Sequence, residues 1–132
     1  MGLILDTGIL ILAERRRAAP DLSAWADRGP VFISAVTVSE LLVGVHRADT
    51  PARKNRRAGY VEALLAALPV LPFDTETARV HAQLLADLPR NITIGAHDLI
   101  IAATALQHGH AVLTANPKDF SRLPGVEVLA YV

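Results

Sequence analysis

Five short apolar runs punctuate this chain: Leu3–Leu5, Val31–Ile33, Val70–Leu71, Ala111–Leu113 and Val126–Leu129. Runs this short bury as strands rather than as helices. Parallel strands need crossovers of a dozen or more residues, and helix-length stretches separate most of these runs. The pattern predicts helices over 6–19, 20–28, 35–47, 51–68, 75–88 and 96–108, the second opened by Pro20 and the last closed by Gly109. Strands alternating with helices predict an α/β fold, with helices covering both faces of a mainly parallel sheet of about five strands.

A hydrophobic share of 52% in 132 residues is enough for one core, so a single domain over residues 1–132 is expected. No repeat or linker divides the chain, and 48–53 and 88–95 are the stretches expected to be flexible. Thirteen basic and thirteen acidic residues cancel, so a charged partner must be met by a local patch rather than by a global field. The chain has no cysteine, which removes disulfides and thiolate metal sites and suits a reducing cytoplasm. The apolar opening is interrupted by Asp6 and followed, not preceded, by Arg15, Arg16 and Arg17, the wrong order for an export signal. The later apolar run Leu99–Leu106 is far shorter than the ~20 residues of a membrane span, so no membrane partner is expected.

Several polar residues stand where this pattern does not call for them. In a parallel α/β sheet, ligands gather beyond the carboxyl ends of the strands. Asp6 follows the first strand, Asn116 follows "AVLT" and Asp74 follows "PVLPF". Each has helix capping as its ordinary explanation, most simply Asp74 before "TETA". Glu40 in "AVTVSELLVGV" and Asp98 in "HDLIIAATAL" have apolar helical neighbours on every side. Asp98 also sits near a helix start, where the macrodipole favours an anion. Buried together, such carboxylates need a cation, and no Lys or Arg lies close to Asp6, Glu40 or Asp98 in sequence. Oxygen donors without cysteine point to Mg²⁺ or Mn²⁺ rather than zinc. His97, His108 and His110 lack a metal-binding pair spacing and are read as surface or helix-end residues.

The segments "LILDTGIL", "ISAVTVSELLVG", "AHDLIIAATALQHG" and "AVLTANPKDFSRLPGVEVL" resemble, in order and spacing, the PIN-domain ribonucleases, and within them the VapC-type toxins of toxin–antitoxin pairs. That resemblance implies a PIN-like three-layer α/β/α fold and an endoribonuclease that inhibits translation by cutting RNA, tRNA or rRNA. It implies an acidic triad of Asp6, Glu40 and Asp98 gathering Mg²⁺ or Mn²⁺, with Asp6 and Asp98 as the foremost ligands. The family's fourth position, often aspartate, is Asn116 here, and a neutral amide is a poorer ligand; Asp119 is placed to supply the missing charge. Thr7 and Thr114 are candidate hydroxyls for orienting carboxylates or water. The resemblance further implies a homodimer and a VapB-type antitoxin that covers the acids.

RNA also needs a cationic track. "ERRRA" offers Arg15 and Arg16 beside Arg17, and "HRADTPARKNRR" offers Arg53 and Arg57, four residues apart on one helix face. Two other readings stay open. One is a catalytically weak PIN fold serving as an RNA-binding or interaction module, which Asn116 keeps in play. The other is a receiver-like phosphoacceptor domain, which needs an acidic pair after the first strand where Asp6 is followed by Thr7 and Gly8.

Overall fold

The computed structural model describes residues 1–131. Five strands form one parallel sheet: β1 (Leu3–Leu5), β2 (Val31–Ser34), β3 (Val70–Leu71), β4 (Ala111–Thr114) and β5 (Val128–Ala130). Their order is β3-β2-β1-β4-β5, so the winding reverses between β1 and β4. Flavodoxin-like and receiver sheets run 2-1-3-4-5 instead, and the receiver-like reading falls on this topology.

The helices are α1 (Thr7–Arg15), α2 (Ala35–His46), α3 (Pro51–Ala67), α4 (Thr75–Asp87), α5 (Ala96–His108) and the four-residue α6 (Pro117–Phe120). Strand alternation divides the core between the two faces. Leu3, Leu5, Ile33 and Leu113 point toward α1, α2 and α3, packing on Leu10, Leu41, Val61 and Leu64. Ile4 and Val112 point the other way, onto Leu84, Leu99, Ile101 and Phe120. The expected α/β/α sandwich is the result. Among the described residues no helix is long and apolar enough to cross a membrane.

Four expectations are corrected. The helix expected over 20–28 is only a 3-10 turn at Ser23–Trp25. There Asp21 Oδ1 accepts from the Ser23 backbone N–H and hydroxyl at 3.1 and 2.7 Å, a local bond that competes with helix propagation. The first helix stops at Arg15, not at residue 19, because Arg17 turns into the left-handed region at φ 54° and the Ala18 N–H bonds back to the Ala13 carbonyl at 3.1 Å. The last strand starts at Val128, two residues late, after a turn in which Gly125 takes φ 78°. Residues 51–53, expected to be flexible, form the first turn of α3, with Pro51 at its start and Thr50 capping it by accepting from the Arg53 N–H at 3.1 Å.

The apolar pattern gives no sign of α6, yet this helix carries Asp119 and follows Asn116 directly. Its anchor is Phe120, 1% exposed and the largest of the fully buried side chains. Phe120→Ala should lower stability by about 3 kcal/mol by emptying that site. Urea unfolding followed by circular dichroism measures this, and a loss under 1 kcal/mol would show that α6 is held by other contacts.

Candidate active site

The reversal of winding between β1 and β4 opens a crevice at their carboxyl ends. Asp6 is the first residue past β1, and its backbone N–H still bonds the Leu113 carbonyl of β4 at 2.9 Å. The sheet itself therefore fixes where this carboxylate begins. Asp6 occupies the N-cap position of α1, but its side chain makes no capping hydrogen bond. It turns instead across the crevice, where its Oδ2 accepts from the Thr114 hydroxyl at 2.7 Å. Thr114, fully buried at the end of β4, accepts in turn from the Asn116 backbone N–H at 3.0 Å.

A second relay descends from α2. The Thr7 hydroxyl donates to Glu40 Oε1 at 2.8 Å and lies 2.8 Å from the Thr37 hydroxyl. With the single Thr7 proton committed to Glu40, Thr37 must donate to Thr7. Both threonines are buried, at 3% and 0% exposure, so the chain is dry and directional. The other Glu40 oxygen, Oε2, lies 3.5 Å from His97 Nδ1. Thr37 escaped the sequence reading, and His97 was read there only as a surface or helix-end residue. The signal for His97 was its place next to Asp98, and the signal for Thr37 was its i, i+3 spacing to Glu40.

Asp98 stands in the first turn of α5 and takes no hydrogen bond among the described residues. Burial above all, then the charges of Asp6, Asp119 and Glu40, push its pKa up to about 6, while His97 pulls the other way. Asp6 is raised too, by burial first and slightly by Glu40, against the Thr114 hydroxyl bond that lowers it. The charges acting on Asp98 place Asp6, Glu40 and Asp119 in its electrostatic neighbourhood. Asn116 is exposed beside it and makes no side-chain cap. Asp74, by contrast, is a plain helix cap: it accepts from the Thr77 N–H at 3.0 Å and completes a capping box on α4.

Among the described residues no three His, Asp or Glu side chains converge into a ready-made metal cluster. The donor chemistry nevertheless fits a hard divalent cation: carboxylate charges raise the pKa of Asp6 and Asp98, and no Lys or Arg is among the charges acting on either. A cation there would answer the repulsion that His97 alone opposes among the charges acting on Asp98.

The basic residues are distributed unequally. Arg15 and Arg16 are exposed at the end of α1. Arg53 is tied to Asp49 by two bonds of 2.8 Å. Arg57 turns inward, donating from Nη1 to the Gly44 carbonyl of α2 at 2.9 Å. Arg53 and Arg57 thus do not share the single solvent-facing basic surface expected of an i, i+4 pair. Arg15 and Arg57 do line, together with Glu40, one cavity between α1, α2 and α3.

Comparison with known proteins is consistent across sequence and structure. The family model for the PIN domain matches residues 3–126. Ribonuclease VapC1 of Rickettsia felis is 40% identical over 130 residues, 98% of this chain and 96% of that protein. The tRNA(fMet)-specific endonuclease VapC of Salmonella typhimurium is 35% identical over 97 residues, 73% of this chain and 71% of that one. The crystal structure of VapBC2 from Rickettsia felis, bound to a DNA fragment from their promoter, superposes with a TM-score of 0.87 at 25% identity over the whole of both chains.

The raised Asp98 pKa has a stability consequence. A carboxyl whose pKa is higher folded than unfolded favours folding when protonated, and that contribution disappears as pH rises through the folded value of about 6. With divalent ions chelated, Asp98→Asn should therefore be more stable than the parent at pH 7.5, by about 1 kcal/mol after allowance for half exposure. The gap should close as pH falls from about 6 toward 4, since the parent then carries a neutral side chain as well. Urea midpoints across that pH range test this, and a variant less stable throughout would refute it.

Proposed function

The chain belongs to the PIN domain family, among its VapC-type ribonucleases, and from that membership we propose a divalent-metal-dependent endoribonuclease toxin that a VapB-type antitoxin neutralises. The observation that carries the reading is the gathering of Asp6, Glu40 and Asp98 at the switch point of the sheet, where burial and neighbouring carboxylate charge raise the pKa of Asp6 and of Asp98 with no Lys or Arg acting on either. Asp6 and Asp98 are the residues that would hold Mg²⁺, or Mn²⁺, which when bound would supply Lewis acidity toward a phosphodiester and lower the pKa of water.

The remaining work falls to the chain. Thr114 holds Asp6 from one side, and the Thr37–Thr7 relay holds Glu40 from the other, so neither carboxylate has to reorganise when substrate arrives. Glu40, with one oxygen committed to Thr7 and the other near His97, is placed to orient a water and receive its proton. Water as nucleophile leaves a 5′-phosphate and a 3′-hydroxyl, since the ribose 2′-OH takes no part. Asn116 cannot supply the charge of an aspartate at that position; Asp119, one turn on, faces the same neighbourhood and supplies it instead. Arg15 and Arg16, exposed at the end of α1, meet RNA phosphates. The substrate is a tRNA or rRNA, and two copies of the chain assemble as a dimer.

Purified protein with structured RNAs and Mg²⁺ should yield fragments bearing 5′-phosphates, and EDTA should abolish cleavage. Asp6→Asn and Asp98→Asn should each reduce the rate by at least about 100-fold, the scale of a lost positioned charge at a reacting centre. Cleavage that survives both substitutions would overturn the assignment. Inactivity of the folded parent across a broad RNA panel would favour a binding module.

A further inference from the structure

Helix α4 turns Thr77 and Leu84 into the core, and its solvent side carries an ordered set of polar groups. Arg79, Gln83 and Asp87 stand at i, i+4 and i+8 and are all exposed, so they form one row with the amide midway between the two charges. The row borders a groove of about 510 Å³ whose apolar lining is Val80, Leu84, Leu106 and Pro124. An apolar surface rimmed by charged and amide groups is the anatomy of a protein contact.

Asp87 stands at odds with its own helix. It lies in the last turn of α4, where the macrodipole disfavours an anion, and no basic residue shares that turn. The Gln83 Nε2 donates to it at 2.9 Å, and no Lys or Arg pairs with it among the described residues. At the other end of the row Arg79 lies 3.4 Å from Glu76, but both side chains are about as exposed as they are in solution-facing helices, at 71% and 70%, which leaves the guanidinium open to a further anion. A peptide of one sign would be attracted at one end of this row and repelled at the other. The segment that suits it carries a cation and an anion about 12 Å apart, eight helical residues at 1.5 Å each, in the reverse order. Helix α4 itself, run antiparallel, is such a segment.

We propose that α4 of one copy packs antiparallel on α4 of a second copy along this groove, about a twofold axis at Gln83, with Arg79 of each copy facing Asp87 of the other. A twofold contact must be self-complementary, and a row with opposite charges at equal distances from a neutral centre meets that condition. The two Gln83 amides face each other at the axis, where each offers a donor and an acceptor. Three residues to either side, Ala86 of one copy faces Val80 of the other, a small side chain against a half-buried apolar one. Exposed ion pairs contribute little affinity, so the apolar lining holds the copies together and the charges set their direction and register. The proposal rests on the dimer of the proposed function and names the face that forms it.

The test is charge reversal read by sedimentation velocity on the full chain. Arg79→Asp sets two aspartates against each other and Asp87→Arg two arginines, twice per dimer in each case. Each single variant should raise the dimer Kd at least about tenfold. The double variant, and an equimolar mixture of the two single variants, restore opposite charges at both ends of the row and should return the Kd to within about threefold of the wild type. Recovery in the mixture cannot come from a fault in folding, because each chain in it carries its own reversal. Single variants that dimerise as tightly as the wild type would overturn the proposal, and so would a mixture no tighter than its components. Either result leaves the dimer reading in place and moves it to another face. A wild type that stays monomeric at a loading of about 100 µM, well above the micromolar range of specific association, would overturn both the face and the dimer. Cleavage of RNA with Mg²⁺, assayed on the same samples, reports separately on the nuclease reading.

Discussion

Strand β1 is three residues long, wholly buried, and paired on both edges, to β2 and to β4. Everything at the acidic site depends on where this strand stops. The residue after it, Asp6, keeps one more backbone bond to β4 before the chain turns into α1. Its carboxylate is therefore held at the one place where helices from both halves of the sheet diverge and leave a crevice. Moving it by a single residue would send the side chain to the opposite face of the pleat and into an apolar layer.

The three acids at this crevice are held by different means. Asp6 and Glu40 are each fixed by a threonine hydroxyl, and each threonine is itself fixed, by the Asn116 N–H in one case and by Thr37 in the other. These relays are buried, where hydrogen bonds are strongest and their loss is most costly. Asp98 has no such support and is positioned only by the backbone of α5, whose last turn closes at Gly109 with φ 70°. The molecule thus combines two preset carboxylates with one whose charge is opposed by its surroundings. Electrostatic strain of this kind lowers the stability of the fold and serves a site that has a cation or a developing charge to meet.

Much of this was legible in the residues. Strand identities followed from short apolar runs, because a strand buried on both faces has no polar alternation to obscure it. The acids were legible as misfits: Glu40 and Asp98 interrupt apolar helical neighbourhoods, which points to a charged site beside the ordinary readings of a solvated face and a helix-start anion. What stayed hidden depends on bonds between residues far apart in the chain. The loop over 20–28 reads as a helix until Asp21 is seen bonding Ser23 and Trp25 is seen stacked on Tyr131 with ring centroids 5.5 Å apart. Arg57 reads as a surface cation until the α2 carbonyl it reaches is known. Such contacts carry no periodicity, so pattern alone cannot announce them.

Helix α1 connects the acidic crevice to the neighbouring cavity by a simple geometric rule. Thr7, Ile11 and Glu14 lie at i, i+4 and i+7 and so share one face, the face turned toward α2 and α3. Their first and last members are about 10 Å apart along the axis, at 1.5 Å per residue. On α2, Glu40 borders both places, with Oε1 bonded to Thr7 and its side chain on the cavity wall. A carboxylate shared in this way couples the two sites: whatever fills the cavity packs against the same side chain whose orientation the threonine relay fixes. The inward turn of Arg57 then serves a second purpose. By joining α3 to the end of α2 and standing near Glu14, it lines the cavity and balances part of the Glu14 charge. Arg57, which reads as part of a basic patch in the sequence, acts here as part of the frame of a pocket that Arg15 also lines, while Arg16 stands exposed at the end of α1.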